Sequence, residues 1–374
     1  MSDTTAPVPE TAPRRTPLYD LHLELGGKLV DFAGWFLPVQ YPSGIMAEHR
    51  HCRTAAALFD VSHMLQALIR GAGAAEAFER LVPGDVAGLG AGELRYTVFT
   101  NAQGGVIDDL IVGRVDDGLF VVANAARRDV DLAHMRQALE PKHRVEELSD
   151  RALLALQGPG AADALGRLFP GTGELAFMRT TRAALAGIPC RISRCGYTGE
   201  DGFEISVPVS DAEALARRLL EQPGVSPAGL GARDSLRLEA ALCLYGHELT
   251  SETTPVEAGL RWTIAKRRRD TRDFPGADVI LQQLQHGPES KLVGIRPEGR
   301  APAREGTVIE DDGGQRIGEV TSGGFGPTVG GPIALGYVRT QHAAPGTALQ
   351  LSIRGKPHPA KVVELPFFPH RYKR

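Results

Sequence analysis

The spacing of hydrophobic residues changes repeatedly along the chain and predicts short helices and short strands. Apolar residues at helical spacing predict helices over Glu48–Phe59, Asp129–Leu139 and Leu230–Leu244. Apolar runs bounded by turn residues predict strands at Met64–Arg70, Leu94–Thr100, Val106–Val112, Leu119–Ala123 and Phe203–Val207. The chain before Lys266 is therefore expected to mix helices and strands.

The pattern differs towards the two ends of the chain. Lys266–Gly287 is charged and punctuated by Pro and Gly, which is typical of a connection between domains. After Lys291, short β runs with Gly and Pro turns predict a small all-β barrel or sandwich. Residues 1–16 are rich in Thr, Pro and Ala and are expected to be disordered. This divides the chain into a tail (1–16), a main region (17–275) and a β domain (288–374).

Length and composition narrow the function classes. A chain of 374 residues is too long for one ordinary core, and a net charge of -3 argues against a nucleic-acid binder. No apolar run approaches the roughly 18 residues of a membrane-spanning helix. The four cysteines form no CxxC pair, and residues 1–16 resemble neither a signal nor a transit peptide. A cytoplasmic protein without nucleic-acid or membrane partners is expected.

The predicted strand Val106–Val112 contains two adjacent carboxylates. Side chains alternate faces along a strand, so Asp108 is expected on the face of Val106 and Leu110. Asp109 is expected on the opposite face with Ile107, and the two carboxylates should not share a proton. An unpaired charge on an apolar face is costly, and such conflicts between pattern and chemistry tend to mark functional sites.

Two further segments carry charges with more than one interpretation. The Gly196–Glu204 loop holds three acids and a tyrosine, and it is either an exposed acidic hairpin or part of a site in which Glu204 interrupts an apolar strand face. Arg233 and Asp234, at the start of the Leu230 helix, form either a capping pair or a site that holds a guanidinium over an anionic ligand.

The basic run Lys266–Arg269 and the nearby Trp262 are equally open. The run is typical of a solvated linker, and alternatively it docks an acidic partner. Trp262 either packs in the core or forms a stacking wall for a flat ligand.

Metal and thiol chemistry are weakly supported. His49, His51 and His63 have no second ligand at a suitable spacing, so surface or capping roles are expected. Cys195 has no identifiable basic partner and is expected to be a buried structural thiol.

Many short motifs occur together in one order and make the chain resemble the aminomethyltransferase, or T-protein, family of the glycine cleavage system. The resemblance runs from Thr16 almost to the C-terminus. The motifs are Asp31–Trp35, Phe59–Met64, Gly104–Ile111, Leu156–Pro159, Gly196–Glu200, Gly231–Glu239 and Thr321–Gly323.

The resemblance implies an α+β fold of three domains arranged as a cloverleaf around a central folate channel, with two interleaved N-terminal domains and a C-terminal β-barrel. It implies transfer of the one-carbon unit of an aminomethyl group on lipoylated H-protein to tetrahydrofolate, giving 5,10-methylenetetrahydrofolate and ammonia. Tetrahydrofolate is then the acceptor substrate, and no metal or pyridoxal phosphate is expected. H-protein and other glycine cleavage components are the expected partners of a monomer.

The resemblance also implies roles for individual residues. The key acid of the family falls on Asp109, which would stabilise an iminium-like cation or, if burial raised its pKa, move a proton. Asp108 is left with a structural hydrogen bond to nearby backbone. The implied folate-binding residues are Glu204, Arg233, Tyr96, Tyr197, Trp262, Tyr372 and Asn124.

Two alternatives share the same fold expectation. One is a folate-dependent demethylase of a small methylated metabolite, and the other is a non-catalytic folate-binding maintenance protein. Fold alone does not separate them.

Overall fold

The computed structural model describes residues 12–116 and 118–373, which form three sheets and a closed barrel. The strands are β1 (Arg14–Arg15), β2 (Lys28–Phe32), β3 (Trp35–Gln40), β4 (Ala56–Asp60), β5 (Leu65–Arg70), β6 (Leu94–Thr100), β7 (Val106–Val115), β8 (Gly118–Ala123), β9 (Arg144–Glu147), β10 (Arg151–Gln157), β11 (Thr180–Leu185), β12 (Ile188–Ser193), β13 (Gly202–Pro208), β14 (Val225–Pro227), β15 (Ser290–Pro297), β16 (Val308–Glu310), β17 (Arg316–Gly326), β18 (Gly331–Arg339), β19 (Ala348–Ile353) and β20 (Lys356–Val363). The α-helices are α1 (Tyr19–Glu24), α2 (Ile45–Thr54), α3 (Ala74–Glu79), α4 (Arg128–Leu139), α5 (Ala161–Gly166), α6 (Ala212–Leu220), α7 (Leu230–Glu239), α8 (Lys266–Thr271) and α9 (Ala277–His286).

The two larger sheets are interleaved in sequence. One has six strands in the order β11-β12-β13-β10-β4-β14, and the other has five in the order β6-β7-β8-β5-β9. Because β4 belongs to the first sheet and β5 to β9 form the second, the chain leaves the six-stranded sheet after Asp60 and returns to it at Arg151. Helices α5 and α6 cover one face of the six-stranded sheet, and α3 and α4 cover the five-stranded one. The two interleaved α+β units expected from the resemblance are confirmed.

The C-terminal strands close into a barrel in the order β15-β18-β17-β16-β19-β20. Its interior is filled by Val, Ile, Leu and Ala side chains from all six strands. Helix α7 packs against both β3 and β17, and so connects the N-terminal region to the barrel. Of the two predicted architectures for the β domain, the barrel is therefore confirmed and the sandwich is wrong.

Two predicted helices are shorter than expected. The first, Glu48–Phe59, is helical only within α2, and its apolar end forms β4, which lies between β10 and the edge strand β14 of the six-stranded sheet. Every residue of β4 is buried, and a short, fully apolar run has the same pattern in a buried strand as in a helix. The second prediction ran to Leu244, but α7 ends at Glu239 because Ala241 takes a left-handed conformation at φ 54°.

The predicted connection Lys266–Gly287 is instead two helices, α8 and α9, docked on the N-terminal region. Arg268 is buried and donates to the backbone oxygen of Glu79, at 2.9 Å. The guanidinium of Arg267 donates to the Glu79 carboxylate at 2.5 Å and to that of Asp85 at 2.6 Å. The linker interpretation is therefore wrong for Arg267 and Arg268, and docking is wrong for the buried Arg268, while docking of an acidic partner by the exposed residues of the run stays a prediction.

The N-terminal end of the described chain is also ordered. Arg14 and Arg15 form β1, which pairs in parallel with Trp35 and Phe36 of β3, and Thr16 is buried. The expected disorder is wrong for these positions, while residues 1–11 lie outside the described residues. Within residues 12–116 and 118–373, no helix is both long and apolar enough to span a membrane.

Glu239, at the end of α7, connects α2, α7 and the barrel. Its Oε1 accepts hydrogen bonds from the backbone N–H groups of Thr328 at 2.7 Å and Val329 at 3.1 Å. Its Oε2 lies 3.1 Å from both Nε2 of His49 and Nη2 of Arg53. These side chains are buried, so the surface role expected for His49 is wrong.

Candidate active site

The β6–β7 hairpin carries Asp109, and its register explains where that carboxylate lies. Cross-strand pairing is regular from Leu94 opposite Gly113 to Phe99 opposite Asp108, and it then shifts by one residue. The shift leaves Ile107 as a bulge, because the Val106 N–H donates to backbone oxygens of the 250–253 loop instead.

The bulge changes two of the predicted neighbours. Asp108 does share its face with Leu110, as expected, but Val106 packs on the other face with Val98, and Ile107 packs in the cluster that contains Leu110. The predicted alternation of side-chain faces is therefore confirmed from Asp108 onwards and wrong for Val106 and Ile107.

Asn124 holds both carboxylates of the hairpin. Its side-chain Nδ2 donates to Asp108 Oδ1 at 3.0 Å and to Asp109 Oδ1 at 2.9 Å. The backbone N–H of Asn124 donates to the second oxygen of Asp108, at 3.2 Å. The structural backbone contact expected for Asp108 is confirmed, and the two carboxylates share a donor even though they leave the strand on opposite faces.

Tyr96 and Trp262 form an aromatic wall beside Asp109. Burial and the nearby Asp109 carboxylate, one strand away in the same sheet, raise the pKa of Tyr96. Its ring stacks on Trp262 with 5.4 Å between centroids. Trp262 is 64% exposed, so core packing is wrong for this residue and its outer face is open to a flat ligand.

Tyr197, Arg233 and Glu204 come together from three different elements. The Arg233 guanidinium lies over the Tyr197 ring, 4.8 Å from its centroid, and its charge is balanced by Glu204 on β13. The Tyr197 hydroxyl donates to the backbone oxygen of Cys243 at 2.5 Å, and the Asp109 carboxylate lies close enough to raise the pKa of this tyrosine. The structure thus joins these residues to the Asp109 group.

Arg233 has unused hydrogen-bonding capacity. Its Nη1 is buried and finds no hydrogen-bond partner in the described part of the chain. A buried guanidinium N–H without an acceptor is costly, and an acceptor on a bound ligand would satisfy it. The capping-pair interpretation is wrong, since Asp234 pairs with Arg237 at 2.8 Å instead.

Burial alters the acid–base properties of the site. Burial, with a smaller effect of the neighbouring Asp108 charge, raises the pKa of Asp109 to about 7. Burial also raises the pKa of Glu204 and lowers that of Arg233, although each is the other's counter-ion. Asp109 is therefore divided between its acid and base forms at neutral pH, which suits a group that transfers a proton.

Other acids of the Gly196–Glu204 loop serve the structure. Glu200 is buried and accepts from Arg53 at 2.9 Å and from Arg371 at 2.5 Å. Asp201 accepts from Arg194 at 2.9 Å. The alternative of an exposed acidic hairpin is therefore wrong, because the loop is anchored on buried arginines.

Tyr372 has a different environment from the other predicted site residues. Its ring stacks on Phe177 with 4.4 Å between centroids and lies 5.1 Å from the ring of His370. These contacts place it in the C-terminal segment and do not join it to the Asp109 group.

Two buried groups near the site complete the comparison with the sequence. Burial raises the pKa of the Cys195 thiol well above its usual range, as expected of a structural thiol, and the thiol donates to the backbone oxygen of Ser193 at 3.9 Å. His63 is buried, so its expected surface role is wrong, and burial lowers its pKa to about 4.

Sequence reasoning missed Asp131 on α4, whose carboxyl contacts that of Asp108. The available signal was weak: Asp131 lies among apolar residues of a predicted amphipathic helix. Taken together, the site offers one proton-transferring acid, an aromatic wall and two half-buried side chains of opposite charge, Arg233 and Glu204. That combination can bind a flat, polar heterocycle beside a carboxyl group that stabilises positive charge and transfers protons.

Comparison with known proteins identifies the family. The GCVT N-terminal domain model matches residues 18–268, and the glycine cleavage T-protein C-terminal barrel domain model matches residues 291–369. The mitochondrial aminomethyltransferase of Gallus gallus is 47% identical over 369 residues, covering 96% of this chain and 93% of the relative. That of Homo sapiens is 47% identical over 367 residues, covering 96% and 91%.

A solved structure agrees with these matches. The crystal structure of glycine cleavage system aminomethyltransferase T from Bartonella henselae superposes with a TM-score of 0.92 at 44% identity, covering 96% of this chain and 99% of that one. The chain belongs to the aminomethyltransferase family of glycine cleavage T-proteins.

Proposed function

We propose that this protein is the aminomethyltransferase of a glycine cleavage system and transfers the one-carbon unit of aminomethyl-lipoyl H-protein to tetrahydrofolate. The observation that carries the assignment to this site is the Asp109 carboxyl, which is held by Asn124 and lies near Tyr96 and the opposite charges of Arg233 and Glu204. The matching names of the full-length relatives support the reaction and the partner.

The proposed reaction exchanges two bonds at one carbon. The carbon loses its bonds to the amino nitrogen and to the lipoyl sulfur, and it gains bonds to N5 and N10 of tetrahydrofolate. The two protons released from N5 and N10 end on the departing ammonia and on the lipoyl thiol. A cationic carbon forms as ammonia leaves, so a nearby carboxylate lowers the barrier and can also carry one of these protons.

Asp109 is the proposed catalytic residue. As a carboxylate it stabilises the cationic carbon, and with a pKa of about 7 it can accept a folate proton at neutral pH. Asn124 fixes its orientation through a hydrogen bond, and Tyr96 lies beside it.

The remaining residues are proposed to bind folate. Glu204 would bridge the amide and amino edge of the pterin, and the unused N–H of Arg233 would bind a folate oxygen. Tyr96, Tyr197 and Trp262 would line the ring. Tyr372 keeps only its family assignment as support, since its packing on Phe177 gives none.

The decisive test is ammonia release from aminomethyl-lipoyl H-protein with and without tetrahydrofolate. We expect acceleration by folate in the wild type and a loss of about 100-fold or more in Asp109→Asn, with folate binding retained. Asp312→Asn, at an exposed position of the barrel, is the matched control. Wild-type turnover by Asp109→Asn would remove Asp109 from the mechanism, and folate binding without any turnover would favour a binding protein.

The pH dependence tests the role of Asp109 separately. If the carboxylate is the active form, turnover should rise with pH through a midpoint near 7 and level off above it. A profile that is flat between pH 6 and 8 would contradict the proton-transfer role.

A monomeric state and a cytoplasmic location complete the proposal. All four cysteines are free thiols, which supports a reducing compartment, whereas the curated relatives above are mitochondrial proteins. Light scattering of the purified protein and cell fractionation test the two statements.

A further inference from the structure

The buried carboxyl of Asp131 lies next to the Asp108 carboxylate. Its side chain is inaccessible to solvent, and neither oxygen accepts a hydrogen bond from any N–H or O–H group in the described part of the chain. Its carboxyl is in hydrogen-bond contact with the carboxyl of Asp108. Two ionised carboxylates in contact inside a protein repel strongly, so one proton must lie between them.

The hydrogen bonds of Asp108 show which residue carries that proton. Both oxygens of Asp108 accept hydrogen bonds from Asn124. Oδ1 accepts from the side-chain Nδ2 at 3.0 Å, and Oδ2 accepts from the backbone N–H at 3.2 Å. Asp108 is therefore the anion, and Asp131 is the neutral acid that donates to it.

The contacts continue to the reacting group. An amide NH₂ has two protons, and Nδ2 of Asn124 directs one to Asp108 and the other to Asp109, whose Oδ1 lies at 2.9 Å and whose backbone oxygen lies at 3.2 Å. The anionic Asp108 thus fixes which way the Asn124 amide faces. If Asp108 took up a proton of its own, it would compete with Asn124 as a donor and release the amide.

We propose that Asp131 is a positioning residue: as a neutral carboxylic acid it donates to Asp108, which orients the Asn124 amide that holds Asp109. The chain Asp131–Asp108–Asn124–Asp109 is a property of the free protein. Its importance for turnover rests on the proposed function, in which Asp109 is the reacting group.

The charged surroundings are consistent with a single proton in this chain. Arg127, in the turn before α4, lowers the pKa of Asp131, while Asp108 and Asp109 on β7 raise it. Tyr245 lies against Arg127, 4.8 Å from ring centroid to guanidinium, and responds to the same carboxylates. Burial is the largest cause, and together these effects raise the pKa of Asp131 to about 10.

The first test needs no substrate. Carboxyl ¹³C NMR of protein labelled at aspartate should show one buried, protonated carboxyl at pH 7 that begins to titrate only above pH 8. This signal should be absent from Asp131→Asn and unchanged in Asp129→Asn, an exposed neighbour on α4. A wild-type spectrum in which no aspartate stays protonated above pH 8 would overturn the proposal, because Asp109, with a pKa of about 7, is itself partly protonated at pH 7.

The second test asks whether Asp131 acts by donating a hydrogen bond to Asp108 or only by filling space beside it. Asn at position 131 still offers an N–H to Asp108, whereas Ala offers none. We expect Asp131→Ala to move the titration midpoint of Asp109 by at least about half a pH unit and to lower kcat about 10-fold with little change in the KM for tetrahydrofolate. Asp131→Asn should keep the wild-type midpoint and rate.

Equal impairment of the Asn and Ala variants would overturn the donor role, as would an unchanged midpoint in Asp131→Ala. If Asp131→Ala does not fold, the wild-type and Asp131→Asn spectra still decide whether Asp131 holds the proton. Because both spectra are recorded without substrate, failure of the proposed transferase activity would leave their result intact.

Discussion

Replacing Glu239 by Gln is expected to weaken the contact between the N-terminal region and the barrel. The carboxylate accepts from two backbone N–H groups of the barrel on one oxygen and faces His49 and Arg53 on the other. A glutamine amide has only one oxygen, so its NH₂ group must face donors at one of the two ends. Two buried donors then lose their acceptor.

The magnitude follows from the ionisation of the carboxylate. Hydrogen bonds and the charge of His49 outweigh burial and lower the pKa of Glu239 from 4.5 to about 2. At about 1.4 kcal/mol per pKa unit, the native environment favours the charged form by about 3 kcal/mol. Since the folded-state pKa is the lower one, this stability is present above pH 4.5 and is lost as the pH falls towards 2.

Urea unfolding at pH 7 and at pH 3 measures the effect. We expect Glu239→Gln to lose about 3 kcal/mol of unfolding free energy at pH 7, and the difference from wild type to narrow at pH 3. Glu364→Gln, at an exposed site after the last barrel strand, should change stability by less than about 0.5 kcal/mol at either pH. A gap of equal size at both pH values would show that the carboxylate charge is not what stabilises this contact.

Two further predictions concern the site wall and the basic run. Trp262→Ala should weaken tetrahydrofolate binding about 3- to 10-fold in a fluorescence titration, because the stacking contact is lost. It should barely change the melting temperature, because Trp262 is 64% exposed. Unchanged affinity would remove Trp262 from the pocket. Arg267→Glu should cost about 1–2 kcal/mol in urea unfolding, because it sets a third carboxylate against Glu79 and Asp85, whereas Lys266→Glu at the exposed neighbouring position should cost less than about 0.5 kcal/mol. Equal losses in these two variants would refute the internal role of Arg267.

The sequence was most informative where a local pattern determined the structure. The alternation around Asp109 predicted correctly that it and Asp108 leave the strand on opposite faces. The bulge at Ile107 was not predictable in this way, because the Val106 N–H that causes it binds backbone oxygens about 145 residues away in the chain. Contacts of that kind carry no local signal.

Long-range charge pairing produced the other errors. The Lys266–Arg269 run resembles a solvated linker because its partners, Glu79 and Asp85, lie far earlier in the sequence. Asp131 looked like an ordinary polar residue of a helix, since only the fold brings its carboxyl against Asp108. Periodicity predicts which face is apolar, but it does not predict which buried charges meet.

The interleaved sheets have a consequence for the order in which this chain folds on the ribosome. All strands of the five-stranded sheet lie between Leu65 and Glu147, so its pairing partners are synthesised as one continuous stretch. The six-stranded sheet contains β4 but needs β14, which ends at Pro227. Both neighbours of β4, β10 and β14, are synthesised after the inserted unit, so β4 must wait with both edges uncovered while that unit folds first.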